Sequence, residues 1–208
     1  VMNMRSMFEE CSEIKKLEVN NFDTSNVENM SSMFKYCSSV TSLDVSHFNT
    51  KKVTDMSNMF DDCKYVKIIE TGKFDTSKVT NMKNMFNGCL SLQSVDVSAF
   101  DTRNVIDMSG MFQFCESIRS LKVGNFDTSN VKNMSSIFRG NRFLTQIDVS
   151  KFDTSECADF SYMFADCSGV TSLDLSNFNT KKVTDMSYMF LNCKYIKQFE
   201  MSKFVTDN

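Results

Sequence analysis

The chain is one 26-residue unit written eight times, with no residue inserted or deleted between copies. The copies run 1–26, 27–52, 53–78, 79–104, 105–130, 131–156, 157–182 and 183–208. Val1, Val27, Val53, Val79, Val105, Val131 and Val183 open seven of them, and Cys157 opens the other. A fixed period of this length specifies stacked units, each burying its apolar face on its neighbours. It predicts one repeat domain over residues 1–208. Positions within a copy are called columns 1 to 26 below.

Columns 4, 7, 8 and 11 read Met30, Met33, Phe34 and Cys37 in the second copy. The spacing i, i+3, i+4, i+7 draws one apolar face on a helix of about two turns. Column 3 is always Asn or Asp, as in Asn29, Asp55 and Asp185, and is placed to cap that helix. A helix this short needs a surface to lie on. Columns 17 to 20, Leu43-Asp44-Val45-Ser46, alternate inward and outward as a short half-buried strand. Column 14 (Val40, Leu92, Ile118) links the two. Column 22 is Phe and column 24 is Thr in every copy. Between them an Asp or Asn, replaced by Val205 in the last copy, makes a turn. Two phenylalanines per copy, each contributing about 1.5–3 kcal/mol when buried, supply much of the driving force.

The run LTSLDVSxFDTSxVTNMSxMFxxC resembles the 26-residue bacterial surface-protein repeat, a relative of the BspA-like leucine-rich repeats. The likeness covers all 208 residues and is greatest over 27–52, 79–104 and 157–182. It implies a leucine-rich-repeat-like solenoid at the surface of low-GC bacteria or some protists, acting as an adhesin or interaction module. The expected fold is therefore an α/β repeat solenoid with one parallel β-sheet face, one row of short helices and eight coils.

Seven of the eight cysteines fall in column 11: Cys11, Cys37, Cys63, Cys89, Cys115, Cys167 and Cys193. On an apolar inner face they read as structural thiols; disulfides and a metal site are the alternatives. The sixth copy has Asn141 there, so the column is expected to face a backbone carbonyl. Copies six and seven also carry Ile137, Cys157 and Phe160 where other copies have Met, Val and Met. Together these read as compensating volume changes, with a kink in the stack as the alternative.

A net charge of −3 argues against a nucleic-acid partner. No apolar run is long enough to span a membrane, and the chain begins at Val in mid-pattern, as a mature fragment or excised array would. The single histidine, His47, lies in a loop column, and no nucleophile, zinc or phosphate-binding motif appears. No enzyme activity and no cofactor are expected. Two surfaces are candidate binding sites. One is the outward row of column 18, with Asp44, Glu70, Asp96, Asp148 and Asp174, interrupted by Lys122. The other is a set of aromatics at the variable columns 6, 10 and 13, Tyr36, Tyr65, Phe114, Phe143, Tyr162, Tyr188 and Tyr195, of which Tyr36, Tyr65, Phe114, Tyr162 and Tyr188 are taken as candidates. The function expected is a non-catalytic cell-surface recognition or adhesion module binding a protein or glycan. The alternative is a building block that self-assembles end to end through uncapped coils.

Overall fold

The structure, a computed structural model, describes residues 1–205; the last three residues of the eighth copy lie outside them. Each copy forms one coil, and the coils stack in parallel register. Asn3, Asn29, Asp55, Asn81, Asp107, Asn133, Asp159 and Asp185 form an unbroken ladder of parallel bridges through all eight copies.

The expected row of short helices is absent: no described residue is helical. Columns 4 to 11 form overlapping four-residue turns instead. Columns 6 and 10 are left-handed in every coil, from Ser6 (φ 56°) and Glu10 (φ 64°) to Tyr188 (φ 57°) and Asn192 (φ 58°). A residue with positive φ ends any right-handed helix, and here there are two per copy. The hydrogen bonds show what replaces the helix. Met33 N–H donates to Met30 O at 3.2 Å and Cys37 N–H to Phe34 O at 3.0 Å, closing turns within the coil. The alternate amides point along the stack. Ser32 N–H donates to Ser57 O at 2.8 Å, Phe34 N–H to Met59 O at 2.9 Å and Tyr36 N–H to Asp61 O at 2.8 Å, all in the next coil. An isolated two-turn helix would leave most of its terminal amides and carbonyls unpaired. The turn series hands them to the neighbouring coil. That gain offsets about 1–2 kcal/mol for each non-glycine residue held left-handed.

The inward face is nonetheless the one the spacing indicated. Met30, Met33, Phe34 and Cys37 are fully buried. The column 8 rings form one continuous stack, with Phe34–Phe60 at 5.7 Å and Phe60–Phe86 and Phe86–Phe112 at 5.6 Å between centroids. Offset stacking of this kind adds about 0.5–1.5 kcal/mol per pair beyond burial. A single apolar core runs from Met4 to Met189.

The expected eight-stranded sheet is also corrected. The described strands are β1 (Ile68–Ile69), β2 (Ser94–Val95), β3 (Ser172–Asp174) and β4 (Gln198–Glu200). They make two two-stranded parallel sheets, β1–β2 and β3–β4, in columns 16 to 18 rather than 17 to 20. Isolated bridges such as Leu43↔Ile69 and Leu121↔Ile147 continue the row. The turn side already carries most of the coil-to-coil bonds, so little strand is needed on this side.

Column 24 has a specific task. Thr76 Oγ1 donates to Asp101 O at 3.0 Å and accepts from Asp101 N–H at 2.8 Å. Thr50 Oγ1 likewise donates to Asp75 O and Thr154 Oγ1 to Asn179 O. Each buried threonine thus ties its loop to the next with one hydroxyl.

Candidate functional site

The acidic row is exposed and runs along the strand side, as its alternation implied. Its aspartates are engaged locally. Asp44 Oδ1 accepts from Ser46 N–H at 3.0 Å and Ser46 Oγ at 2.7 Å. Asp96 with Ser98, Asp148 with Ser150 and Asp174 with Ser176 repeat that geometry. The serine hydroxyl and amide stabilise the charged form, so all four carboxyls are held below their ordinary range. This is an Asx turn that shapes the chain after the strand. Glu70 belongs to a copy with Gly72 in place of that serine. A Cβ on Gly72 would sit 2.9 Å from Asp96 Oδ2, so the next carboxylate leans into the space. Glu70, Asp96 and Lys122 line an open groove of about 440 Å³. Asp148 and Asp174 lie beyond it.

The aromatic candidates divide. Phe114, Tyr162 and Tyr188 come together around Arg139. Its guanidinium lies 5.4 Å from the Phe114 ring centroid and 4.5 Å from that of Tyr162. Tyr162 then stacks on Tyr188 at 4.7 Å. Arg139 Nε also lies 3.8 Å from Asp166 Oδ2. Gly140 is left-handed at φ 78°, and any Cβ there would collide with the Phe114 ring. Phe114 and Tyr162 are half-buried in this cation–π column, so much of their surface is spent on packing. Tyr36 stands elsewhere, 4.9 Å from Lys35 Nζ, which also reaches Asp61 at 3.8 Å. Tyr65 is separate from both groups and exposed. Arg139 is the residue that pattern reading missed as an organiser. The signal was its place between two aromatic columns.

The thiols sit as the sequence suggested. All eight cysteines are unbonded to one another. Cys63 Sγ donates to Phe34 O at 3.2 Å, Cys89 to Phe60 O at 3.2 Å and Cys115 to Phe86 O at 3.1 Å. Asn141 makes the equivalent bond through Nδ2 to Phe112 O at 2.9 Å. Burial pushes these thiols up, Cys37 to about 11 and Cys115 further. Among the described residues, no group of three or more His, Cys, Asp or Glu side chains could hold a metal ion. No helix among them is long and apolar enough to cross a membrane.

These features define a repeat protein of stacked 26-residue coils. The family described as "Mycoplasma protein of unknown function, DUF285" matches residues 1–69, 63–145 and 111–208, and the chain belongs to that family. No curated protein matches it. Among solved structures, a leucine rich cell surface protein from Faecalibacterium prausnitzii A2-165 is similar with a TM-score of 0.40 and 16% identity. That match covers 94% of this chain, which spans 62% of the other protein's length.

Proposed function

We propose that the chain is a non-catalytic recognition module, a single solenoid domain displayed at a bacterial cell surface. It binds a protein or glycan through one face, as the BspA-like surface repeats it resembles are expected to do. The observation that supports this most is how the reactive groups are used. Thiols are pushed up, away from the nucleophilic range, and donate to carbonyls. Asp44, Asp96, Asp148 and Asp174 are pulled down by serines, opposite to the raised value a general acid requires. The grooves are open and shallow, and lie along the faces of the stack. The test is an array of host and bacterial surface proteins and glycans probed with the intact chain. Retained binding that is lost on substituting one face supports the reading. Turnover of any arrayed component contradicts it.

The second reading, end-to-end assembly, is favoured by the polarity of the stack. Amides of columns 4, 6, 8 and 10 donate in one direction only. Each coil therefore offers these amides to one neighbour and the matching carbonyls to the other, a heterologous pairing. Light scattering over a concentration series separates the two: persistent monomers favour recognition, growing oligomers favour assembly.

A further inference from the structure

Columns 12 to 16 form a band along one edge of the stack. It carries eight lysines and arginines against two glutamates, a surplus of six positive charges in a chain whose net charge is −3. Net charge conceals this asymmetry. Three of those cations face carboxylates: Lys16 with Glu18 at 2.6 Å, Lys64 with Asp62 at 3.7 Å and Arg142 with Glu116 at 3.8 Å. Among the described residues, Lys15, Lys67, Arg119, Lys194 and Lys197 have no carboxylate within 4.0 Å, and all five are exposed.

Aromatic rings stand between these cations. The third copy reads Lys64-Tyr65-Val66-Lys67 and the eighth Lys194-Tyr195-Ile196-Lys197. The sixth reads Arg142-Phe143-Leu144, with Arg119 of the fifth coil 5.7 Å from the Phe143 centroid. Val66 and Leu144 are buried and anchor the chain, so the preceding ring is turned out. Tyr65, Phe143 and Tyr195 are 58%, 56% and 62% exposed, unlike the half-buried Phe114 and Tyr162 beside Arg139. Phe143 lines a groove of about 420 Å³ with Gln93, Ser117 and Arg119; a second groove, of about 280 Å³, joins Arg142, Ser168 and Lys194 with Asp166 and Asn192.

We propose that this band binds an extended anionic polysaccharide, one carrying carboxylate or sulfate groups. This deepens the recognition reading and rests on it. The ring-and-cation units lie three and then two coils apart, roughly 14 and 10 Å at strand spacing. A polymer with an anion once or twice per disaccharide presents charges that sparsely. The apolar face of a pyranose packs on an exposed ring, while its acid groups reach the flanking lysines. Nucleic acid carries a phosphate about every 3.4 Å along a strand, far denser than these clusters.

The experiment measures binding of the full chain to chondroitin sulfate, whose disaccharide carries one carboxylate and about one sulfate, with dextran, poly-glutamate and oligothymidylate as comparison probes. Chondroitin sulfate is expected to bind, with affinity falling as salt rises, and dextran is not. K67Q/R119Q/K197Q should weaken chondroitin sulfate about tenfold or more, since three counterion-releasing contacts are lost. F143A/Y195A should weaken chondroitin sulfate severalfold while leaving poly-glutamate unchanged. All five positions are on the surface, and an unchanged melting temperature verifies folding. The proposal is overturned if chondroitin sulfate does not bind, if the charge variant keeps full affinity, or if the aromatic variant has no effect. It is also overturned if poly-glutamate or oligothymidylate binds as tightly as chondroitin sulfate, which would assign the band to an acidic peptide or to nucleic acid. The parent reading fails separately. A chain that ignores chondroitin sulfate yet binds an arrayed surface component loses only this inference; a chain that binds none of them loses both.

Discussion

Asn141 is the one break in the column of thiols, and its exchange for cysteine should stabilise the protein. The residue is 1% exposed. Its Nδ2 donates to Phe112 O and Phe138 O, at 2.9 and 2.7 Å, but its Oδ1 is buried with no partner. An unpaired buried acceptor costs about 1–3 kcal/mol. The larger amide also parts the rings beside it: Phe112–Phe138 are 6.3 Å apart against 5.6 Å for Phe86–Phe112. A thiol restores the donor to Phe112 O without the orphan oxygen. Phe138 O keeps Cys167 Sγ at 3.0 Å as a donor. Part of the gain is offset because a thiol is a weaker donor than an amide. N141C should therefore raise stability by about 1–2 kcal/mol. The converse change, C89N, should cost about 2 kcal/mol for the same reason. Urea melts under reducing conditions measure both, as midpoint shifts at constant slope. If N141C lowered the midpoint, or C89N left it in place, the orphan-acceptor account would be wrong.

Phe86→Ala and Phe100→Ala each remove a buried ring and should cost about 3–5 kcal/mol, while Asn81→Ala loses only its bond from Lys83 N–H and should cost about 1 kcal/mol; chemical melts ranking Asn81 highest would refute the inward assignment. Alkylation in denaturant followed by mass measurement should count eight free thiols, and a count of two or fewer would contradict the thiol column. Stability should fall in alkali. An unfolded thiol loses its proton near 9.0 while the folded Cys37, Cys157 and Cys193 keep theirs to about 11. Stability is thus complete below the unfolded value and lost as pH rises from 9 toward 11, by about 1.4 kcal/mol per pH unit for each thiol still protonated. Melts unchanged between about pH 8 and 10.5 would refute the burial of this column.

The period, the register and the inward columns were legible because apolar spacing records which side chains face in. It does not record backbone handedness. The spacing of Met30, Met33, Phe34 and Cys37 suits a helix face and a series of turns equally well. The deciding signal lay in columns 6 and 10. Gly88, Gly110 and Gly140 fall there, with Asn58, Asp62, Asn84, Asp166 and Asn192, residues that tolerate positive φ. Tyr36, Phe114, Tyr162 and Tyr188 occupy the same columns and obscured it, since bulky residues rarely adopt that conformation. At the candidate site, the Asp-x-Ser pairing of columns 18 and 20 was in plain view and announced an Asx turn. The grouping of Phe114 and Tyr162 around Arg139 was not, because it depends on side chains from three consecutive coils lying within one cation–π column.

A stacked repeat separates structural from recognition roles by column. Positions that recur in every copy are consumed by the stack: Thr76 joins adjacent loops, Phe86 stacks on both neighbours, Asn81 closes its own turn. The acidic row belongs largely to this group, since its aspartates answer to serines two residues on. Such a side chain has one carboxylate oxygen already engaged and little reason to vary. Columns 12, 13 and 15 differ. Column 13 holds Glu13, Ser39, Tyr65, Ser91, Ser117, Phe143, Gly169 and Tyr195, a wide range, although at Gly169 a Cβ would meet Arg142 O at 2.7 Å. Where it holds Tyr65, Phe143 or Tyr195, cations stand alongside and the ring remains exposed, although burying a ring this size would stabilise the fold. The stack carries that exposed apolar area at three separated coils, whereas the column 8 rings from Phe34 to Phe164 are fully buried. If the band binds an acidic glycan as proposed, a ring beside an unpaired cation is stabilised by the ligand that covers it, and substitutions on this edge should cost more affinity than substitutions in the acidic row.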